Sequence, residues 1–171
     1  MKNYFYTTEI ANKIKELLDE ELPLEVAKNI SVGDFTVLPQ PKDLEEYLPA
    51  IIINLSDNDV VDSNIALDIY TQQYTYDIHY IYPYQFKEFE DTPVEAIQKA
   101  EMVANTLMNY KTLDDFIVEP TEEEAGGEII TSAIARLSFD NAETELFKAL
   151  EIPAYIIHIE YYLAFRTYRS F

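Results

Sequence analysis

The sequence predicts an α+β domain in which amphipathic helices pack on a mainly antiparallel β-sheet. Two long segments, Ile69–Tyr84 and Pro153–Thr167, alternate apolar and polar residues with the two-residue period of a half-buried strand. Helical patterns interrupt the predicted strands, some of which are close enough in sequence to form hairpins. These observations give the order α-β-β-α-β-β-α-β within a single domain, residues 1–171.

The first helix is predicted between Thr8 and Leu22, where Thr7 or Thr8 provides the cap and Pro23 ends the pattern. Its apolar stripe consists of Ile10, Ile14, Leu17 and Leu18. From Leu24 to Leu48 the signals are mixed, and both helical and extended structure stay open there.

Two strands follow, joined by a polar connection from Ser56 to Asn64. Ala50–Leu55 is apolar on both faces, which is typical of a central strand. The second strand, Ile69–Tyr84, ends at Pro83 because proline has no N–H to donate. One side of it carries Tyr70, Tyr74, Tyr76, Ile78, Tyr80 and Tyr82, and the other carries Thr71, Gln73, Thr75, Asp77 and His79.

The second half of the chain begins with a predicted helix from Thr92 to Tyr110, in which Thr92, Pro93 and Glu95 form a capping box with proline at the first helical position. We predict a short strand at Asp115–Glu119, a flexible acidic loop at Thr121–Glu128 and a strand at Ile129–Phe139. A short helix, Ala142–Leu150, follows with Asp140 or Asn141 as its cap, and the last strand is Pro153–Thr167. In Ile129–Phe139, alternation places Ala133, Ala135, Leu137 and Phe139 opposite Ser132, Arg136 and Ser138.

The composition excludes several classes of protein. A formal net charge of −20, divided evenly between the two halves, opposes binding to phosphate backbones. The absence of cysteine rules out disulfides, thiolate nucleophiles and Cys-ligated metals. No apolar run reaches membrane-spanning length and no signal peptide is recognisable, so we expect a soluble, intracellular protein with no membrane partner.

The two histidines are the first candidates for catalysis. Asp77 and His79 share one strand face, as do His158 and Glu160. If the two strands were neighbours in suitable register, these four side chains would form a possible Zn or Fe set. The alternative is polar pairing across strands on the wetter face of a sheet.

The other candidate motifs are incomplete. Asp57, Asn58 and Asp59, with Asp62 and Asp68, have the acid density of a calcium loop, but Val61 and Asp62 occupy positions where an EF-hand needs an oxygen ligand and glycine. The three glycines, Gly33, Gly126 and Gly127, cannot assemble a phosphate-binding loop, and Glu122–Glu124 reads as a solvated loop. The sequence therefore predicts no catalytic residue, no cofactor and no metal.

Five segments together carry a resemblance to a known family. They are the helix Thr8–Leu22 and the stretches LPAIIINLSD, YTQQYTYDIHYIYPY, TPVEAIQKAEMVANTLMNY and YIIHIEYYLAFRT. In order and character they resemble the tail terminator (tail completion) proteins of long-tailed bacteriophages. The acidic insert around Glu122 and the segment Leu24–Leu48 have no counterpart in that pattern.

The resemblance implies a structural protein without enzymatic activity. It would form a hexameric ring that caps the tail tube, stops tube polymerisation and joins tail to head. Its partners would be the tail tube protein and a head–tail connector protein, with no sequence-specific nucleic acid binding. It would occur in the host cytoplasm during assembly and then in the virion tail.

Two hypotheses about the ring follow. Carboxylates from Asp57–Asp62 or Glu122–Glu128 would line an acidic lumen through which DNA slides. The C-terminal residues Ala164–Phe171 would be either an arm that reaches a neighbouring subunit through Arg166 and Arg169, or a plain strand end.

Two other classes stay open. One is an acidic DNA mimic that inhibits a nucleic-acid-binding protein, which would need carboxylates spaced along one extended face. The other is a metalloenzyme using Asp77, His79, His158 and Glu160.

Overall fold

The structure, a computed structural model, describes residues 1–64, 69–83, 92–138 and 154–168. Three α-helices, one 3-10 helix and six strands occur in these ranges. They are α1 (Thr7–Glu21), β1 (Asn29–Val32), the 3-10 helix (Phe35–Val37), α2 (Pro41–Tyr47), β2 (Ala50–Asn64), β3 (Ile69–Pro83), α3 (Thr92–Asn109), β4 (Ile117–Val118), β5 (Gly127–Ser138) and β6 (Ala154–Thr167).

The described strands form one sheet in the order β1-β2-β3-β6-β5-β4. The α+β prediction is confirmed, but the sheet is mixed rather than mainly antiparallel as expected. β1 lies parallel to β2, and the other four pairings are antiparallel. The predicted element order also omitted β1 and α2, because a strand of four residues is too short to show a period and its partner is distant in sequence.

Some predicted features lie outside the described residues. These are the helix Ala142–Leu150 with its cap at Asp140 or Asn141, the strand ends at Tyr84 and Phe139, and Asp68 and Arg169.

Helices α1 and α3 pack on one face of the sheet, which we call the helix-covered face. The tyrosine side of β3 belongs to it, as predicted, since Tyr74, Tyr76 and Tyr80 are fully buried there. Strand β6 adds Ile157, Ile159, Tyr161, Leu163 and Phe165 to this core, and the helices add Ile10, Ile14, Leu18, Val103 and Leu107.

The opposite face, which we call the histidine face, is covered at one end. Leu44 and Leu48, in and just after α2, pack against Ile52, Ile81 and Ile156 in a second apolar cluster. This explains why Ala50–Ile53 is buried on both faces, as its unbroken apolar run predicted.

Bulges in β5 overturn the predicted alternation of that strand. Its register with β6 shifts between Ile129 and Thr131 and again between Ile134 and Arg136. Each shift inserts one extra residue, so simple alternation places side chains beyond it on the wrong face. Ser132 is therefore buried, and Ala135 is exposed.

The loop before β5 is anchored to the rest of the protein, although a flexible loop was predicted for Thr121–Glu128. Ala125, Gly126 and Gly127 are buried, and Gly126 has a φ of +76° that favours glycine. The amide of Asn3 donates to the Glu123 carbonyl at 2.7 Å. A Cβ on Gly127 would overlap the Phe165 ring, so this glycine is required for close packing.

The predicted strand Asp115–Glu119 shortens to β4. Leu113, Asp114 and Asp115 have left-handed φ values of 48°, 58° and 55°, which a strand does not allow.

The C-terminal arm hypothesis is wrong for Ala164–Thr167. These residues belong to β6, and Phe165 and Thr167 are buried. Truncation after Leu163 would therefore remove part of the core rather than a detachable arm.

Candidate functional site

The register of β3 and β6 brings together the four residues considered as a metal set. His79 lies opposite His158, and Asp77 lies opposite Glu160. The two imidazole rings stack with centroids 5.0 Å apart and planes 12° from parallel, and the Phe35 ring packs against His79 at 4.8 Å. His158 Nε2 is 2.9 Å from Asp77 Oδ1.

This arrangement is one of polar pairing across strands. Stacked imidazoles hold their nitrogens in parallel planes rather than directing them at one point, whereas a metal centre needs convergent ligands. In the part of the chain that the structure describes, no group of three or more His, Cys, Asp or Glu side chains is placed to hold a metal ion. The His79 side chain serves mainly to continue the apolar packing of the histidine face, where it is only 7% exposed.

Tyrosine hydroxyls on the helix-covered face join the sheet to the helix layer. Tyr76 donates to the Thr7 carbonyl at 2.8 Å, and Tyr80 donates to the Val26 carbonyl at 2.7 Å. Tyr82 donates to the Glu95 carboxylate at 3.0 Å. These contacts account for a tyrosine-rich strand without any base-stacking role.

Burial perturbs the ionisation of these tyrosines. Desolvation raises the pKa of Tyr76 and of Tyr80 well above the ordinary value, because a buried phenolate loses its hydration. The same loss of hydration raises the pKa of Tyr161 to about 12.

The described acids of the calcium-like stretch, Asp57, Asp59 and Asp62, lie on an extended strand rather than on a polar connection. β2 runs for 15 residues to Asn64, and beyond Asn54 most of its residues are exposed. Asp57, Asp59 and Asp62 are spread along this exposed half, so they do not form a loop that could surround an ion. The sequence analysis missed this half of β2 because its many polar residues are typical of a loop. The adjacent β-branched residues Val60 and Val61, which favour strands, were the only local indication.

One open strand edge results from the length of β2. β1 pairs with β2 only as far as Ile53, and no other described strand pairs with the outer side of Asn54–Ser63. We call this segment the β2 edge. Its exposed apolar residues are Leu55, Val60 and Val61, with 41%, 50% and 55% of their surface accessible.

A second open edge lies at the other end of the sheet. β4 pairs only with Gly127 and Glu128, so Ile129–Ser138 has no outer partner among the described strands. We call this segment the β5 edge. It carries an exposed Ile130 and an exposed Arg136, and the amide of Ile134 donates to Met108 Sδ at 3.4 Å.

Open edges are unusual sites because unpaired backbone groups accept further strands, and proteins commonly protect them. In this chain the two edges differ in charge. The β2 edge carries three aspartates and no cation, whereas the β5 edge carries one arginine and no acid. These two edges are the best candidate functional surfaces of the described structure.

Comparison with known proteins does not assign a family. No protein-family model matches the chain, and no match was found among curated proteins. None of the described helices combines the length and apolar character needed to cross a membrane. The function is therefore argued from the geometry of the sheet.

Proposed function

We propose that this protein is a structural subunit that assembles into a ring and acts as the tail terminator of a long-tailed bacteriophage. The observation that carries the proposal is the pair of unlike open edges at opposite ends of one sheet. Two different, complementary surfaces on one subunit produce head-to-tail contacts, and such contacts close into a ring when the rotation between neighbours allows it.

In this role a hexameric ring caps the tail tube, stops tube polymerisation and joins the tail to the head. Its partners are further copies of the chain, the tail tube protein and a head–tail connector protein. It acts in the host cytoplasm during assembly and then in the virion tail. It has no catalytic function.

The charge of the chain supports this role. A ring through which DNA passes must not retain it, and a net charge of −20 repels phosphate. Asp57, Asp59, Glu122 and Glu123 are exposed, so either acidic segment has carboxylates available for a lumen. We assign the lumen to one of these segments, Asp57–Asp62 or Glu122–Glu128.

Light scattering over a range of salt concentrations tests the proposal. Salt screens repulsion between highly acidic copies, so we expect the mass to rise from that of one chain, 19.9 kDa, to that of a ring. Purified protein should also bind the ends of isolated tail tubes in electron micrographs. The proposal would be refuted if the protein formed no ring in solution and also failed to bind tube ends.

One observation favours a second candidate, an acidic mimic of DNA. Asp57, Asp59 and Asp62 pair in register with Thr75, Gln73 and Thr71, and therefore lie along one face of an extended strand. Successive same-face residues are about 6.6 Å apart, within the range of phosphate spacing along a strand. A mimic would stay monomeric and displace DNA from a basic protein, whereas a terminator would assemble without affecting DNA binding.

A further inference from the structure

We propose that the β2 edge of one copy pairs with the β5 edge of the next, so that the sheet continues from subunit to subunit. The partner is a second copy of this chain. The inference rests on the proposed ring, and it specifies which backbone segments form the subunit contact.

The strand directions allow this pairing. Since β2, β3, β6 and β5 are successive antiparallel neighbours, β2 and β5 run in opposite directions. A second copy placed beside the first in the same orientation therefore brings its β5 antiparallel to β2. The junction then has the same hydrogen-bond pattern as the interior of the sheet.

Register shifts occur at the same spacing in the two edges. The register of β2 shifts between Leu55 and Asp57 and between Val60 and Asp62. In β5 the extra, unpaired residues are Ile130 and Ala135. In each strand, four paired residues lie between the two extra residues. Bulges ordinarily protect an edge by twisting it away from flat partners. Equal spacing allows the four-residue stretches between the bulges of the two edges to face each other.

Charge is complementary on the histidine face. Asp57 and Asp59 lie on it, because their register partners Thr75 and Gln73 do. Arg136 lies on the same face as its partner Glu160. Faces are preserved when a sheet continues, so Arg136 of one copy lies on the same face as the aspartates of its neighbour. Opposite charges on neighbouring strands stabilise the pairing, and the reverse contact of like edges would place aspartates together.

Apolar groups meet on the helix-covered face. Val60 lies on this face of the β2 edge, since its register partner is the buried Gln72. Ile134, the partner of Tyr161, lies on it at the β5 edge beside Met108. A thioether is a weak hydrogen-bond acceptor, so a backbone carbonyl of an incoming strand would be a better partner for the Ile134 amide. Pairing would also cover part of the exposed surface of Val60.

Cysteine crosslinking tests the pairing directly, because the chain has no cysteine of its own. Through β3 and β6, Asp57 is level with Ala133. Assembled D57C/A133C protein should therefore form, on oxidation, covalent species of increasing size up to the ring. D59C/A133C tests a pairing shifted by two residues. Each single variant has one thiol and should give dimers at most.

The outcomes separate the pairing from the function. Covalent ladders from either double variant support edge pairing. Rings seen by light scattering or on tube ends, without ladders from either variant, would overturn the pairing and leave the ring proposal intact. If no ring forms under any condition, the proposed function fails, and the pairing fails with it.

A charge exchange provides a second test. Arg136→Asp should weaken assembly at least tenfold, as judged by the protein concentration at half-assembly. Adding D57R and D59R to R136D should restore most of that loss. The control, Glu20→Arg, changes an exposed acid of α1 outside both edges and should alter assembly less than threefold. Circular dichroism confirms that each variant is folded; a folded R136D that assembles normally would refute the charge contact.

Discussion

The two faces of the β3–β6 pair place their polar side chains in different contacts. On the helix-covered face, buried tyrosine hydroxyls of β3 donate to backbone oxygens at or after α1. On the histidine face, side chains of neighbouring strands pair with one another, as His158 does with Asp77. The difference teaches that one strand can serve both as an anchor for helices and as a partly solvated surface. The first role should dominate stability.

The largest expected effect is alkaline unfolding. Tyr76, Tyr80 and Tyr161 have folded-state pKa values raised above 10.0, the ordinary value. These tyrosines contribute fully to the free energy of unfolding below the unfolded-state pKa. As pH rises from there towards the folded-state pKa, the contribution is lost, because only the unfolded state ionises in that range. Each contributes about 1.4 kcal/mol per pH unit, so the three together lower the unfolding free energy by about 4 kcal/mol per unit. Urea titrations at about pH 10.5 and about pH 11.5, both between the unfolded and folded pKa values, measure this slope.

The Tyr161→Phe variant is the control for this slope. It should reduce the dependence on pH by about 1.4 kcal/mol per unit between pH 10.0 and about 12. An unchanged slope would show that Tyr161 ionises equally in both states.

Adjacent residues of β6 compare the two faces most directly. Tyr161 is fully buried on the helix-covered face, and Tyr162 is half-buried on the other. Tyr161→Ala should lower the unfolding free energy by about 4 kcal/mol because it removes a large core side chain. Tyr162→Ala should cost about 1 kcal/mol or less. Equal losses in chemical denaturation would contradict the assignment of faces.

Gly127→Ala tests the close packing of β5 on the helix-covered face. The added methyl overlaps the Phe165 ring and the Arg166 carbonyl, so it should cost about 2 kcal/mol of unfolding free energy. Thr131→Ala, at an exposed position of the same strand, is the matched control and should change stability by about 0.5 kcal/mol or less. A neutral Gly127→Ala would restore the prediction of a flexible loop.

Tyr80→Phe isolates one anchoring hydroxyl. It leaves the buried Val26 carbonyl without this donor and should cost about 1 kcal/mol. Tyr162→Phe removes a hydroxyl from the other face and should cost less than about 0.5 kcal/mol. Thermal unfolding of the Tyr80→Phe and Tyr162→Phe variants measures the difference in their stability. Equal stability would mean that water replaces the hydroxyl donor that Tyr80→Phe removes.

The smallest effect is expected on the histidine face. The contact of His158 with Asp77 is partly solvated, so His158→Gln and Asp77→Asn should each cost about 0.5 kcal/mol. A double-mutant cycle in urea measures the coupling between them. A coupling above about 2 kcal/mol would show that this face contributes to stability as strongly as the tyrosines do.

Long periodic segments were predictable, but local exceptions to periodicity were not. The alternation of β3 identified its core tyrosines correctly, because a period of two fixes which side chains share a face. In β5 the same argument misplaced Ser132 and Ala135, because nothing local to the sequence marks a bulge. The anchored Gly126 and Gly127 were missed for a related reason. Their constraints come from Pro120 and Phe165, which contact them only in the folded chain.

For the candidate site, the sequence identified the residues, and the structure decided how their side chains are arranged. Asp77, His79, His158 and Glu160 were identified as potential neighbours, but only the β3–β6 register showed stacked rings instead of convergent ligands. By itself the sequence determined the α+β class, the acidic surface, the absence of thiol chemistry and the core side of the tyrosine strand, since these follow from composition and period. Tertiary structure alone decided the parallel strand β1, the bulges and the two open edges. Strand order and register depend on contacts between distant segments, which no local pattern encodes.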